Sequence, residues 1–254
     1  MPEEILSPRE LRRYGKQIMI PGIGTEGQEK LKRASVLVVG AGGLGCPVLQ
    51  YLAAAGIGRI GIAEFDMVKE ENLPRQILYG TSDVGKLKSI IAKNRLEHLN
   101  SSISFEIINL RIDSGNALKV FSNYDIITDA TDNLETRYVI SDACVILGKP
   151  MVHGAIYKFE GQVSVFNYQG GPTYRCYNPY TGKKGAGKPL PAEVGIVGVL
   201  PGIAGTYMAN EIIKLITGTG KVLSGKVLLL DIAENSQYML SVKNIPENHV
   251  MSQP

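Results

Sequence analysis

The chain has 254 residues, 44% of them hydrophobic and 20% charged, with a net charge of +3. That excludes a disordered chain and argues against a protein that holds nucleic acid by phosphate neutralisation alone. No apolar run approaches the roughly 18 residues of a membrane span, and acids precede any apolar stretch in the opening MPEEILSPRE. Cys46, Cys144 and Cys176 are odd in number and widely spaced, so they form neither a disulfide framework nor a CxxC pair for zinc, and a cytoplasmic protein is expected.

The first 34 residues read as a helical lead-in. Ser7, Pro8, Arg9 and Glu10 form a capping box with proline at the first helical position, and Leu11, Tyr14 and Ile18 follow at helical spacing. Gly22 and Gly24 interrupt before EGQEKLKRA resumes a second short helix.

From residue 35 to 155, short β-branched runs alternate with longer helical stretches, the pattern of a parallel sheet covered on both faces. Strands are expected at 35–39, 60–63, 103–108, 125–128 and 151–153, and helices at 44–55, 86–99, 116–121 and 136–147. Beyond 155 the alternation stops. Runs at 161–166, 227–230 and 237–242 read as antiparallel strands around one helix at 204–216. The expected fold is therefore α/β and Rossmann-like. Its mostly parallel sheet carries helices on both faces and is extended by antiparallel strands in the C-terminal half. Residues 156–254 complete the same sheet, giving a single domain. Between these pieces, 177–192 holds three prolines, three glycines and Lys183, Lys184 and Lys188 with hardly any apolar anchor, and reads as a mobile crossover loop.

The strand VLVVG runs into Gly40, Ala41, Gly42, Gly43, Leu44 and Gly45, and a helix follows. Glycines let the backbone turn sharply and approach a ligand, while the helix N-terminus offers unpaired N–H groups to phosphate. Glu64, nineteen residues after Gly45, closes the second strand, where an acid accepts ribose hydroxyls. On that motif alone a dinucleotide-dependent dehydrogenase is the favourite. The next segments argue otherwise, because such an enzyme has no reason to gather cations and a metal-binding acid around the phosphates. Asp66, Asn72, Arg75 and Gln76 follow the second strand, Lys86 and Lys88 open the next helix, and Asp132 with Asn133 follows the fourth strand. All lie at carboxyl ends of strands or just after them and are expected to converge on one crevice. Attack on a nucleoside triphosphate needs cations for the phosphates and a carboxylate for magnesium. Taken singly, Arg75 reads equally as a surface cation, Lys88 as a solvated helix residue and Asp132 as an N-cap.

The strings RYGKQI, VLVVGAGGLG, EFDMVKEENLPRQ, GKLK, TDATDN, EGQVSVF and GIVGVLPGI occur in the order found in the ThiF and MoeB family, bacterial relatives of ubiquitin-activating enzymes. The resemblance covers about residues 7 to 240. It implies a homodimeric enzyme that uses ATP and magnesium to adenylate the C-terminal glycine of a small ubiquitin-like sulfur-carrier protein, releasing pyrophosphate. It also implies roles: Gly40, Gly42, Gly43 and Gly45 cradle the nucleotide, Glu64 binds ribose, Asn72, Arg75 and Lys88 contact phosphates, and Asp132 holds magnesium. No general base is required, because the carrier's carboxylate is itself the nucleophile.

Three departures from the family pattern stand out. Lys16 replaces the arginine that reaches the partner subunit's ATP, keeping the charge without the bidentate fork. The first zinc CxxC pair is reduced to Cys176, and the tail KNIPENHV has no cysteine, so no zinc is expected; His249 reads as a solvated tail residue and Cys176 as a buried leftover. Pro191, Ala192 and Glu193 stand where many relatives carry a cysteine, so the chemistry is expected to stop at the acyl-adenylate, with sulfur delivered by another protein.

The run GIVGVLPGIAG is either a dimer seam or core, and the lysines of 177–192 either attract an acidic carrier or keep a loop solvated. Rival readings keep the fold but activate a peptide or transfer-RNA carbonyl, or keep only nucleotide binding as a catalytically weak scaffold.

Overall fold

The structure is a computed structural model describing residues 5–180 and 195–254. Its lead-in folds as α1 (Pro8–Arg13), α2 (Gly15–Ile18) and α3 (Gly24–Arg33). The capping box forms as its residues dictate: the Ser7 hydroxyl accepts from the Glu10 N–H, and the Glu10 carboxylate accepts from the Ser7 N–H at 2.9 Å.

The alternating half follows as β1 (Ser35–Val39), α4 (Gly45–Ala55), β2 (Arg59–Ala63), α5 (Lys88–Leu99), β3 (Ser104–Ile108), α6 (Ala117–Phe121), β4 (Ile126–Asp129), α7 (Leu134–Leu147) and β5 (Met151–Tyr157). The chain then runs through β6 (Glu160–Phe166), α8 (Tyr174–Tyr177), α9 (Val199–Thr217), β7 (Lys226–Asp231) and β8 (Ser236–Ser241). The eight strands form one sheet in the order β3-β2-β1-β4-β5-β6-β7-β8. Pairing is parallel from β3 to β5 and antiparallel from β5 to β8.

Several boundaries differ from the sequence reading for physical reasons. β5 runs four residues past His153 because it turns directly into a hairpin with β6, Lys158 taking φ +51 at the tip. α9 starts at Val199 instead of 204; Pro201 falls in its first turn, where the missing N–H has no helical acceptor to lose. α7 starts at Leu134 with Asn133 as N-cap, its side chain accepting from Thr136 N–H at 2.9 Å, so the cap is Asn133 and not Asp132. Tyr177, the first residue of the expected loop, ends α8; residues 181–192 of that loop lie outside the described residues.

Two apolar layers cover the sheet. One packs α3, α4, α5 and α9 through Leu31, Leu49, Leu52, Leu96 and Ile212; the other packs α6, α7 and α8 through Phe121, Ile140, Cys144 and Tyr174. Each fully buried leucine contributes about 1.5–3 kcal/mol relative to exposure. α9 packs on α4 and also on β5 and β6, so it joins the parallel and antiparallel halves. Because β1 is flanked by β2 and β4, consecutive connections leave β1 to opposite sides, which opens a crevice at the carboxyl ends of β1 and β4.

Candidate functional site

The glycine turn occupies that crevice. Gly40, at φ +95, donates its N–H to Ala63 O at 2.9 Å, and a Cβ added to it would stand 2.8 Å from Ala130 O at the end of β4. A Cβ on Gly45 would collide with Gly40 O, so both positions admit only glycine without a shift of the backbone. Tyr79 donates its hydroxyl to Ala41 O at 2.8 Å and pins the turn from below. α4 has no side-chain cap; its Cys46 N–H is taken by Gly42 O at 2.9 Å and Pro47 has no N–H, so a ligand in the crevice would meet the N–H groups of the glycine turn that leads into the helix.

The sequence-predicted residues gather here with four exceptions. A cavity of about 690 Å³ is lined by Gly40, Gly42, Gly43, Glu64, Asp66, Arg75, Gln76, Lys88, Asp132 and Asn133, a volume within the roughly 300–1,000 Å³ of small-molecule sites. Gly45 lies behind the turn. Asn72 acts on Arg75, its Oδ1 accepting from Nη2 at 2.5 Å, while Glu71 O accepts from Nη1 at 3.2 Å. Lys16 is exposed on α2 and does not line the cavity, and Lys86, in the turn before α5, is exposed and outside it.

Burial separates these side chains from ordinary surface residues. Lys88 is only 4% exposed, its Nζ 3.3 Å from Asp66 Oδ2 and its N–H bonded to Asp66 O, so it is not a solvated helix residue. Arg75 is half-buried and splinted by its own turn. Gln76 is buried with Oε1 lacking any hydrogen-bond partner, and its Nε2 would meet a Cβ on Gly42 at 3.4 Å. An orphaned buried amide facing a phosphate-type glycine turn fits a polar ligand in the cavity. Asp132 is exposed at the opposite wall and makes no hydrogen bond or ion pair among the described residues.

Glu64 is more constrained than an acid reserved for ribose. Its Oε1 accepts from the N–H groups of Phe65 and Asp66, both at 2.8 Å, and its Oε2 from Ala41 N–H at 3.0 Å. The extra methylene lets it reach back and brace the glycine turn, leaving acceptor capacity for a ribose mainly on Oε2.

Sequence reasoning missed a buried polar group beneath Asp132. The Asp129 carboxylate is fully buried. It accepts from His153 Nδ1 at 2.7 Å, from Thr131 N–H at 3.0 Å and from Thr131 Oγ1 at 2.6 Å. Arg137 on α7, 13% exposed, donates from Nη2 to Thr131 O at 2.8 Å, holds Nε 3.8 Å from Asp129 Oδ2 and lines the cavity. Burial alone would raise the Asp129 carboxyl, but the His153 hydrogen bond, the Arg137 charge and Thr131 carry it below the usual carboxylate value. Burial dominates at His153 and lowers it, against the pull of Asp129, so the imidazole is neutral. An arginine one turn into the helix after TDATDN was a readable signal; the Asp129–His153 contact was not, because it depends on the β4–β5 register.

Cys46 and Cys144 are fully buried, and burial pushes the Cys46 thiol up to about 12. Cys176 is half-buried and not the buried leftover the sequence suggested. Thr173 Oγ1 lies 3.4 Å from its sulfur and Asn248 Nδ2 lies 3.7 Å away, and these hydrogen bonds outweigh burial and lower its pKa. His249 is exposed and contacts Asn244 Oδ1 at 2.7 Å. Among the described residues, no group of three or more His, Cys, Asp or Glu side chains is arranged to hold a metal ion.

A second, largely apolar groove of about 940 Å³ runs between α4 and α9, lined by Pro47, Tyr51, Ile77, Val199 and Tyr207 among others. At one end Gly43 and Arg75 line both this groove and the nucleotide crevice. At the other it reaches Leu99, whose carbonyl accepts from Arg13 at the end of α1.

A crevice at a switch point, a glycine turn opening an uncapped helix and buried cations at the same sheet edge give the architecture of nucleotide-binding α/β proteins. The chain belongs to the ThiF family, which it matches over residues 14–250. It is 51% identical over 242 residues to the sulfur carrier protein adenylyltransferase of Thermus thermophilus, covering 93% of this chain and 89% of that one. It is 46% identical to a probable molybdopterin-synthase adenylyltransferase of Porphyra purpurea, covering 98% of this chain and 64% of that one. It is 47% identical to the adenylyltransferase and sulfurtransferase MOCS3 of Aedes aegypti, covering 89% and 52%. The chain thus spans most of the Thermus relative but only about two thirds and half of the other two. A crystal structure of E. coli MccB with ATP superposes with a TM-score of 0.82 at 24% identity, covering 97% of this chain and 75% of that one. One of PaaA gives 0.80 at 23%, covering 96% and 77%. Both show that the fold is shared. Among the described residues no helix is long and apolar enough to cross a membrane.

Proposed function

We propose that this chain is an adenylyltransferase that uses ATP to activate the C-terminal glycine carboxylate of a small ubiquitin-like sulfur-carrier protein, releasing pyrophosphate. The observation that carries the reading is the convergence of Arg75, Gln76, Lys88 and Asp132 on one glycine-lined crevice, in a chain 51% identical to a sulfur carrier protein adenylyltransferase.

The glycine turn that leads into α4 takes the phosphates, the splinted Arg75 fork and the buried Lys88 ammonium take up their charge, and Glu64 Oε2 takes a ribose hydroxyl. The carrier's carboxylate oxygen forms a bond to the α-phosphorus as the bond from that phosphorus to the bridging oxygen breaks; the electron pair leaves with pyrophosphate. No protein base is needed, so catalysis is alignment plus charge stabilisation. Lys88 is effective because it is held out of water, where a fixed charge acts more strongly.

Asp132 and a triphosphate suit magnesium, which is held in such sites by one or two carboxylates, substrate oxygens and water. Bound there, the ion would neutralise phosphate charge. No cysteine follows Cys176 in this sequence, and we infer that the reaction ends at the acyl-adenylate.

We infer a homodimer, which the apolar groove supports. The apolar groove joins the nucleotide crevice to the neighbourhood of α1 and α2, so a second copy seated in it would bring its own α2, with Lys16, towards the phosphates. The three free thiols fit a cytoplasmic setting.

The test is pyrophosphate exchange in the presence of a candidate carrier. Arg75→Ala and Lys88→Ala should each lower the rate by about 10² to 10³ fold with the fold intact, as expected for groups that meet developing charge. Near-normal rates in both would remove these residues from the site, and exchange without any carrier would favour a peptide or nucleic-acid acceptor.

A further inference from the structure

Asp132 has no side-chain anchor among the described residues, yet a magnesium ligand needs a fixed direction. Its neighbours on both sides are fixed. Asn133 is locked as the cap of α7, and the Thr131 peptide is gripped at both ends, its N–H by Asp129 Oδ1 and its carbonyl by Arg137 Nη2. The Asp129 carboxylate is thereby the pivot of the turn. Its Oδ1 is used by Thr131, and its Oδ2 is held at 2.7 Å by His153 from the adjacent strand, where β4 and β5 pair Asp129 with His153. Phe166 and Tyr174 pack against the imidazole with ring centroids 5.8 and 5.0 Å away and leave it little room to turn. Among the described residues the cation near Oδ2 is Arg137, its Nε at 3.8 Å and without a hydrogen-bond partner of its own.

We propose that His153 is a positioning residue: by donating from Nδ1 to Asp129 it keeps that carboxylate turned towards Thr131, and so fixes Asp132 for the metal-bound triphosphate. Without this donor, Asp129 Oδ2 is free to close on the unpaired Arg137 Nε. That movement turns Oδ1 away from Thr131 and loosens the turn carrying Asp132. Lys88, Arg75 and the glycine turn are untouched, so nucleotide binding without metal is unaffected. The inference rests on the nucleotide-site reading but not on the identity of the acceptor.

The experiment reads metal binding directly, with Mn²⁺ as the probe. Retention of Mn²⁺ by the protein–ATP complex is followed through the free-ion electron paramagnetic resonance signal, beside metal-free ATP affinity from equilibrium dialysis. His153→Leu removes the donor; His153→Asn keeps an amide N–H close to the Nδ1 position. The leucine variant should bind Mn²⁺ about 10-fold more weakly, as loss of an outer-shell partner does, with metal-free ATP affinity unchanged, and the asparagine variant should recover most of the loss. Thr131→Val, at a half-exposed position, removes one Asp129 contact without altering the core. It should weaken Mn²⁺ in the same direction and decides the matter if His153→Leu does not fold.

Unchanged Mn²⁺ affinity in the variants, equal losses with and without metal, or an asparagine variant no better than leucine would overturn the proposal. So would a wild-type ATP complex that retains no Mn²⁺. Wild-type protein that binds Mn²⁺ with ATP in the expected pattern but shows no carrier-dependent exchange would refute the proposed function and leave His153 in place.

Discussion

A buried imidazole beside a buried carboxylate gives this protein a pH dependence that can be worked out from signs. His153 has its pKa lowered by burial, so below about 6.5 the unfolded chain binds a proton that the folded one refuses, and stability falls as pH falls. Asp129 is lowered as well, so its contribution is present above the usual carboxylate range and is lost as pH drops through the folded value. Both act in one direction, His153 first. The unfolding free energy should therefore fall between pH 7.5 and pH 5.5, by up to about 1.4 kcal/mol per pH unit for one imidazole, read as a falling thermal midpoint, and His153→Asn should flatten that limb. An equally steep limb in the variant would show that other groups cause it. At this scale the sequence was informative wherever a residue acts near its own backbone segment. Arg75 with Asn72, and Gly40 with Gly45, lie within single motifs. It was silent where two strands bring residues together: Asp129 with His153 spans 24 positions, and Glu64 with Ala41 spans 23, so the second use of Glu64 as a brace was hidden.

Among the elements, the contact between α4 and α9 carries the most consequence, since it fixes the N-terminus of α4 at the glycine turn and couples the two halves of the sheet. The helices approach closely at Gly205, where a Cβ would stand 2.5 Å from Pro47 Cγ and 2.7 Å from Leu44 O, a backbone atom that cannot swing aside. Gly205→Ala should accordingly destabilise by about 1–3 kcal/mol, or roughly 2–4 °C for each kcal/mol in a chain of this size, measured by calorimetry. An unchanged or raised midpoint would show that the helices separate at no cost. The existence and order of the strands were legible because each parallel strand is a short, continuous apolar run buried on both faces, as SVLVV is. Boundaries were less so. The start of α9 was hidden by Pro201 and Gly202, which read as breakers but fall in the first turn, and the far half of β5 was hidden because AIY is neither a buried run nor a clean alternation.

Across the whole molecule, one sheet serves two tasks. Its parallel part makes the crevice that holds the nucleotide residues, while its antiparallel part ends in β8, whose Tyr238, Met239 and Leu240 are exposed at 65%, 49% and 46%. The charge pattern follows this division: Arg75, Lys88, Arg111 and Arg137 line the crevice together with Glu64, Asp66, Glu71 and Asp132, so basic and acidic groups alternate around it. Cations set among acids in one enclosed crevice suit a small anion bound with a metal ion far better than an extended polyanion, which needs a continuous basic surface. The central claim is that this pocket prepares the α-phosphorus of ATP for a carrier's terminal carboxylate. The most direct measurement is exchange of labelled pyrophosphate into ATP by the wild-type protein, with a ubiquitin-like carrier either intact or lacking its last glycine. Exchange with the intact carrier alone is the result expected; equal exchange with both, or none with any carrier while ATP binds normally, would contradict it.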